Sequence, residues 1–231
     1  MVRRSINLLS ATVLAAASMM AGTVQMTWVG VGNDPTYDGY YVGPYQADIG
    51  GSSTPTLVYC DAFNDQVNTN GWTAYVTTSP FANSTVSTNL QNTLAYHLGG
   101  PTPTLTDLQG YVKDYQEIAY LTTQYATNTQ DWAGIATAIW SFFGQGAPVV
   151  SGSGPTSTAY WVNQAALHYT SINTAGITIY TPTLNASNNL TSQEFVTYTA
   201  TPEPSTFAIF GFGTALLALG FFRSRRMASS R

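Results

Sequence analysis

The segment that most limits what this chain can fold into is its last thirty residues, Pro202 to Arg231. Three parts follow one another there. Pro202-Glu203-Pro204 comes first. Proline lacks an amide hydrogen and fixes φ, so Glu203 is held extended with an unpaired backbone, the form a processing enzyme can grip. An apolar run then extends from Phe207 to Phe222, with Thr214 as its only polar side chain. Its sixteen residues reach about 24 Å as a helix. A hydrocarbon core is ~30 Å thick, so the span is short and leans on its flanks. Phe207, Phe210, Leu216, Leu217, Leu219 and Phe222 are its bulky anchors. Arg223, Arg225 and Arg226 close the segment and hold the cytoplasmic side, which places everything before Pro202 away from the cytoplasm.

This order of parts resembles the PEP-CTERM sorting signal of Gram-negative bacteria. The resemblance implies recognition by an exosortase, a membrane-embedded cysteine transpeptidase that removes the tail. It also implies insertion in the inner membrane through the C-terminal helix before processing. The mature protein is then expected at the cell surface or in the extracellular matrix, associated with exopolysaccharide or another surface glycan.

At the other end, Arg3 and Arg4 precede an apolar stretch from Ile6 to Met20, with small residues at Ala15-Ala16-Ala17-Ser18 and Ala21-Gly22. That is the layout of a secretory signal peptide, expected over residues 1–21. The part left to fold is the body, residues 22–201, with the sorting tail at 202–231. About 180 residues suffice for one domain with a true core. Of the seven basic residues, only Lys113 lies in the body, against ten of the eleven acids, so the body carries about −9. An acidic, arginine-free body is a poor partner for nucleic acid or anionic lipid and cannot build an arginine phosphate clamp. Thr, Ser, Asn, Gln, Gly and Tyr fill its surface instead, which suits an extracellular setting and glycan contacts through aromatic faces. Cys60 is the only cysteine, so no intramolecular disulfide supports the fold and stability must come from packing.

Periodicity divides the body in three. Thr23–Trp28, Tyr40–Tyr45, Thr56–Cys60 and Gly71–Val76 read as strands separated by Gly, Pro, Asn and Asp turns. The period then becomes helical. Val86, Leu90, Leu94 and Leu98 share one face, stopped by Gly99-Gly100-Pro101. Thr106 with Gln109 forms a capping-box pattern ahead of Tyr111, Tyr115, Ile118, Ala119, Thr122 and Tyr125. Trp132, Ile135, Ala136, Ile139, Trp140 and Phe143 form a second stripe. A flexible Ser151–Pro155 link leads to a third helix from Thr158 to Tyr169, capped by Ser157. Strands return at Ile177–Tyr180 and Glu194–Thr199. Strand, helix, strand predicts an α+β fold, a β-rich domain with an inserted helical block.

Two body segments resemble the thioester domains of bacterial surface adhesins: Tyr59-Cys60-Asp61, and Ile135-Ala136-Thr137-Ala138-Ile139-Trp140. In that family an aromatic-Cys pair on a strand meets a Gln-containing helix motif that often ends Ala-Ile-Trp. The cysteine sulfur attacks the Gln side-chain carbonyl and expels ammonia, leaving a thioester that can acylate an amine on a partner. Here Ala136 stands where the family carries Gln, and a methyl group offers no acyl carbon. The resemblance therefore implies a thioester-domain-like body with a degenerate Cys60/Ala136 site.

No other pattern carries chemistry. His97 and His168 lack companions at ligand spacing, and no Gly-x-Ser-x-Gly elbow occurs. Asp61, Asn64 and Asp65 lack EF-hand spacing and read as solvated turn residues, while Asp114 and Glu117 beside Lys113 read as a polar helix face. No metal or cofactor and no catalysis are expected. The sequence points to a structural or adhesive exported protein, with a covalent adhesin using Cys60, a glycan-binding module and a glycan-active enzyme as rivals.

Overall fold

The structure, a computed structural model, describes residues 22–31, 35–78, 105–144, 146–187 and 189–200, with side chains in the first long helix from Tyr111 on. The residues expected to form a signal peptide, the helix expected around Val86 to Leu98, and the whole tail lie outside them. Among the described residues no helix is long and apolar enough to cross a membrane.

Among the described residues, eight strands and three α-helices make an α+β body, as expected. In chain order they are β1 (Thr23–Gly30), β2 (Thr36–Tyr37), β3 (Tyr40–Tyr41), β4 (Tyr45–Ile49), β5 (Thr56–Cys60), β6 (Trp72–Thr78), α1 (Leu105–Gln124), α2 (Trp132–Phe143), α3 (Thr158–His168), β7 (Ile177–Pro182) and β8 (Phe195–Tyr198). Six strands close into a barrel in the order β1-β4-β5-β8-β7-β6. Every neighbouring pair is antiparallel, so the barrel has no free edge along which another chain could pair.

Two corrections to the sequence reading come from backbone chemistry. Tyr40–Tyr45 is not one strand. Tyr40–Tyr41 folds back on Thr36–Tyr37 as a separate hairpin, and β4 starts only at Tyr45. The hairpin turn is Asp38-Gly39, with φ of 52° and 82°, the positive pair that a two-residue turn between twisted strands requires. Pro44, which has no N–H to donate, marks the break before β4. The second correction is at α1, which begins at Leu105, so Thr106 sits in its first turn and not at its cap.

Cross-strand partners share a face, which sorts the barrel into two layers. Cys60 pairs with Phe195, Tyr45 with Val58, Met26 with Trp72 and Val24 with Ala74. This row points inward, and Met26, Val58, Ala74 and Phe195 are fully buried. The alternate row contains Tyr59, Val196 and Ile179. It points outward, yet Val196 and Ile179 are also fully buried. What covers them is the helical block, inserted between β6 and β7, whose α1 packs against β7 and β8. Burial on both faces is why these strands do not show a clean polar alternation.

α2 lies deepest among the helices. Gly134 to Trp140 are buried without interruption, not only the stripe that its apolar spacing predicts. Thr137 makes this tolerable: its hydroxyl bonds the Ala133 carbonyl at 2.8 Å and the Thr158 hydroxyl at 2.6 Å. The Ser151–Pro155 segment is no loose linker. The Val150 N–H donates to Thr158 Oγ1 at 2.9 Å and the Thr158 N–H returns to the Val150 carbonyl at 3.1 Å. Ser157 caps α3 as expected, accepting from the Tyr160 N–H at 3.3 Å.

Gly134 lets α3 approach this closely. A Cβ there would stand 2.4 Å from the Thr156 carbonyl oxygen and 2.9 Å from Trp161 Cδ1. Alanine would gain up to about 1 kcal/mol of helix propensity, but forcing a methyl into a packed contact costs roughly 1–3 kcal/mol. Gly134→Ala is therefore expected to lower stability by about 1–2 kcal/mol in urea denaturation, against the propensity trend.

Candidate functional site

At one rim of the barrel the ends of β1, β5 and β7 meet the starts of β4, β6 and β8. This is where the segments after β1, β5 and β7 leave the barrel, and two sites form there, one open and one closed.

The open site is a cleft of about 790 Å³ over the barrel mouth. Its walls are aromatic. Trp28 packs on Tyr45 with ring centroids 5.3 Å apart, and Phe63 lies 4.8 Å from Tyr40 and 5.3 Å from Trp140. Trp140 and Tyr45 are buried floor, whereas Tyr40 and Tyr41 are each 46% exposed and Trp28 half-buried. The polar lining comes from the loop after β5, Asn64, Asp65, Gln66 and Thr69, and from Gln193 just before β8. No Lys, Arg or His lines the cleft among the described residues. Burial raises the Asp65 carboxyl to about 6, so it is an anion at neutral pH.

Cys60 and Trp140 both line this cleft, so the strand and helix segments singled out in the sequence come together. Ala136 is buried one turn earlier on α2 and is not part of the lining. Burial and the neighbouring Asp61 charge push the Cys60 thiol well up, against hydrogen bonds from the Ala62 backbone and the Trp140 side chain that pull it down. It is a buried, protonated thiol and not a thiolate nucleophile. Gln193, which sequence reasoning passed over, brings a side-chain amide into the same cleft. Its Nε2 donates to the Asp65 carbonyl and its Oε1 is shut from solvent with no partner among the described residues. Only the β5–β8 pairing places it there, and nothing in its local sequence signals that.

The closed site lies between the outer face of the barrel and the helices. Glu194 is fully buried and accepts from Tyr115 Oη at 2.7 Å and Thr181 Oγ1 at 2.5 Å. Asp61, 1% exposed, lies beside it, and its two carboxyl oxygens have no hydrogen-bond partner among the described residues. The solvated-turn reading of Asp61 is thus corrected: continuing the β5 alternation turns its side chain outward to the helices while Asp65 turns to the cleft. Burial and the Glu194 charge push the Asp61 carboxyl well above the usual range. These two carboxyls lie beside each other inside the body and do not face each other across an open cleft. Among the described residues no group of three or more His, Cys, Asp or Glu converges on a point that could hold a metal.

Lys113, Asp114, Glu117 and His168 lie on the helices. Lys113 Nζ sits 3.1 Å from Glu117, which is itself buried, so Glu117 is not simply surface charge. Asp114 is raised to about 6, by burial first and by Glu117 second. His168 stacks on Tyr120 at 5.3 Å, and His97 lies outside the described residues.

The buried acid pair sets the direction of pH dependence. Asp61 and Glu194 both titrate higher in the folded chain than their ordinary values of 3.8 and 4.5. The folded state therefore holds more protons over the interval above those values. Stability is full below them and falls as pH rises towards the folded values, at about 1.4 kcal/mol per pH unit for each proton held. Urea midpoints are expected to be higher at pH 5 than at pH 7.5. Asp61→Asn, which removes a titrating proton beside Glu194, should flatten that slope.

The comparisons with known proteins bear on the other end of the chain. A family model described as the PEP-CTERM protein-sorting motif matches residues 200–226. The match spans Pro202-Glu203-Pro204, the run from Phe207 to Phe222, and Arg223, Arg225 and Arg226. No curated protein and no solved structure matches the chain. The chain thus carries a PEP-CTERM protein-sorting motif, the mark of an exported protein that is handed to an exosortase at the membrane.

Proposed function

We propose that this is a non-catalytic adhesive or structural protein of the cell envelope, which an exosortase releases from its tail and which holds a polysaccharide in the cleft at the barrel mouth. In this reading residues 1–21 direct export, Phe207–Phe222 anchor the precursor in the inner membrane, and the body of residues 22–201 works at the surface or in the exopolysaccharide. The observation that carries it is the cleft itself. Sugar rings present apolar C–H faces and a rim of hydroxyls, and Trp28, Tyr40 and Tyr41 offer rings beside the amide, hydroxyl and carboxylate groups of Asn64, Thr69, Gln66 and Asp65. A sorting tail brings such a site to where glycans are.

A covalent reading has one observation in its favour: Cys60 and Gln193 line the same cleft. Attack of Cys60 Sγ on the Gln193 side-chain carbonyl would expel ammonia, so the intact exported body would weigh one ammonia less than its sequence and would take up methylamine. A full-weight body sinks that reading and leaves the non-covalent one standing.

Binding of the purified body to a panel of soluble oligosaccharides by calorimetry tests the main proposal. At least one neutral or charged glycan is expected to bind, and Tyr40→Ala, which removes a half-exposed wall, should weaken it about tenfold, a loss of about 1.4 kcal/mol. A panel with no binder, or a Tyr40→Ala body that binds as well as the parent, would overturn it.

A further inference from the structure

We infer that the cleft is selective for a glycan carrying free amino groups, such as a de-N-acetylated hexosamine polymer, with Asp65 receiving the ammonium and Tyr40, Tyr41 and Trp28 receiving the sugar faces. The inference rests on the glycan reading above and narrows it by charge.

Polysaccharides of the bacterial surface are neutral, acidic or amino-bearing, and the cleft discriminates among these chemistries. Its only charged lining residue among the described residues is Asp65. Of the cations in the described residues, Lys113 is on α1 against Glu117 and beside the Tyr169 ring, and it takes no part in the lining. A uronate or sulfate entering the cleft would meet the Asp65 carboxylate and a body of about −9, with no cation to neutralise it. A buried or half-buried like-charge contact of that kind is strongly disfavoured. An ammonium meets the opposite situation. Asp65 is half-buried, so water screens it less than a surface acid, and a charge-assisted hydrogen bond to it is stronger for that reason. The same aromatic faces that take a sugar also attract a cation through their ring quadrupoles. A fully acetylated or neutral sugar would use the rings but leave the carboxylate with no charge to meet.

The test compares three oligosaccharides of equal length on the same purified body at neutral pH and low salt: a β-linked glucosamine oligomer, its fully N-acetylated form, and a uronic acid oligomer. The glucosamine oligomer is expected to bind about tenfold tighter than the acetylated one, the preference should fade with added salt, and the uronate should not bind. Asp65→Asn should remove the preference between the free-amine and acetylated oligomers. Equal binding of the free-amine and acetylated oligomers, or tighter binding of the uronate, overturns the selectivity but leaves a glycan cleft in place. Binding of none of the three, with none from the wider panel, removes both. A lysine oligomer that binds as tightly as the glucosamine oligomer and competes with it would show a general cation site and overturn the assignment to a glycan. The ranking on the parent body decides the matter even if Asp65→Asn fails to fold.

Discussion

A single carboxylate ties the two layers of this body together. Glu194 stands just before β8 and accepts hydrogen bonds from Tyr115 on α1 and Thr181 on β7, with Asp61 beside it just past the end of β5. Removing a carboxylate from water costs several kcal/mol, and the cost is met only where its lone pairs find donors. The donors exist only when barrel and helical block are docked in one register. A slip of β8 by one residue would turn Glu194 into the barrel interior and Phe195 out towards the helices. The arrangement therefore selects a register as well as holding one, although a buried polar knot of this kind adds less to stability than its short bonds suggest.

The register that Glu194 holds also shapes the cleft. Residues after Cys60 and before Phe195 leave the barrel side by side. Asp61 and Glu194 turn to the helices, and Gln193 and Asp65 turn to the mouth, joined by the bond from Gln193 Nε2 to the Asp65 carbonyl. The rigid scaffold thus supplies the position of a loop that carries the polar groups, the usual division between scaffold and binding surface. Trp140 links the layers from the other side: it belongs to a helix of the outer layer, yet it packs with Phe63 and Tyr40 over the barrel mouth. Gly144 makes that crossing feasible, since a Cβ there would lie 2.8 Å from Phe63 Cβ.

How much of this the residues announce depends on the range of the interaction concerned. Helices α2 and α3 are legible because their signals are local: the stripe from Trp132 to Phe143, and Ser157 at a cap. The strands are legible as segments, since Val, Tyr and Thr alternate between turn residues. Their closure into a barrel is not, because no local pattern tells that β5 pairs with β8 across more than a hundred residues. The same distance hides the function-bearing groups. Asp61 reads as a turn acid until Glu194 is beside it, and Gln193 reads as one polar residue among many until Cys60 and Asp65 share its cleft. The aromatic content of the surface is visible in advance, but which rings face one opening is a tertiary fact. The tail is the opposite case. Its three parts are contiguous, so its meaning survives with no fold at all, and it is there that the comparison with known proteins finds its match.

That division has a physical logic. A sorting signal must be read before and apart from folding, so it can only use features that a short extended or helical segment displays by itself: prolines, an apolar run and arginines. The body is free of that demand and can store its information in long-range contacts. The cost appears in charge. With its cations concentrated in the two terminal segments, the exported body cannot offset its acids by surface ion pairs and instead buries several of them. Asp61 is buried beside Glu194, Glu194 with hydroxyl donors around it, and Glu117 against Lys113. Asp65 is the one placed at the mouth of an aromatic cleft, which no Lys, Arg or His lines among the described residues.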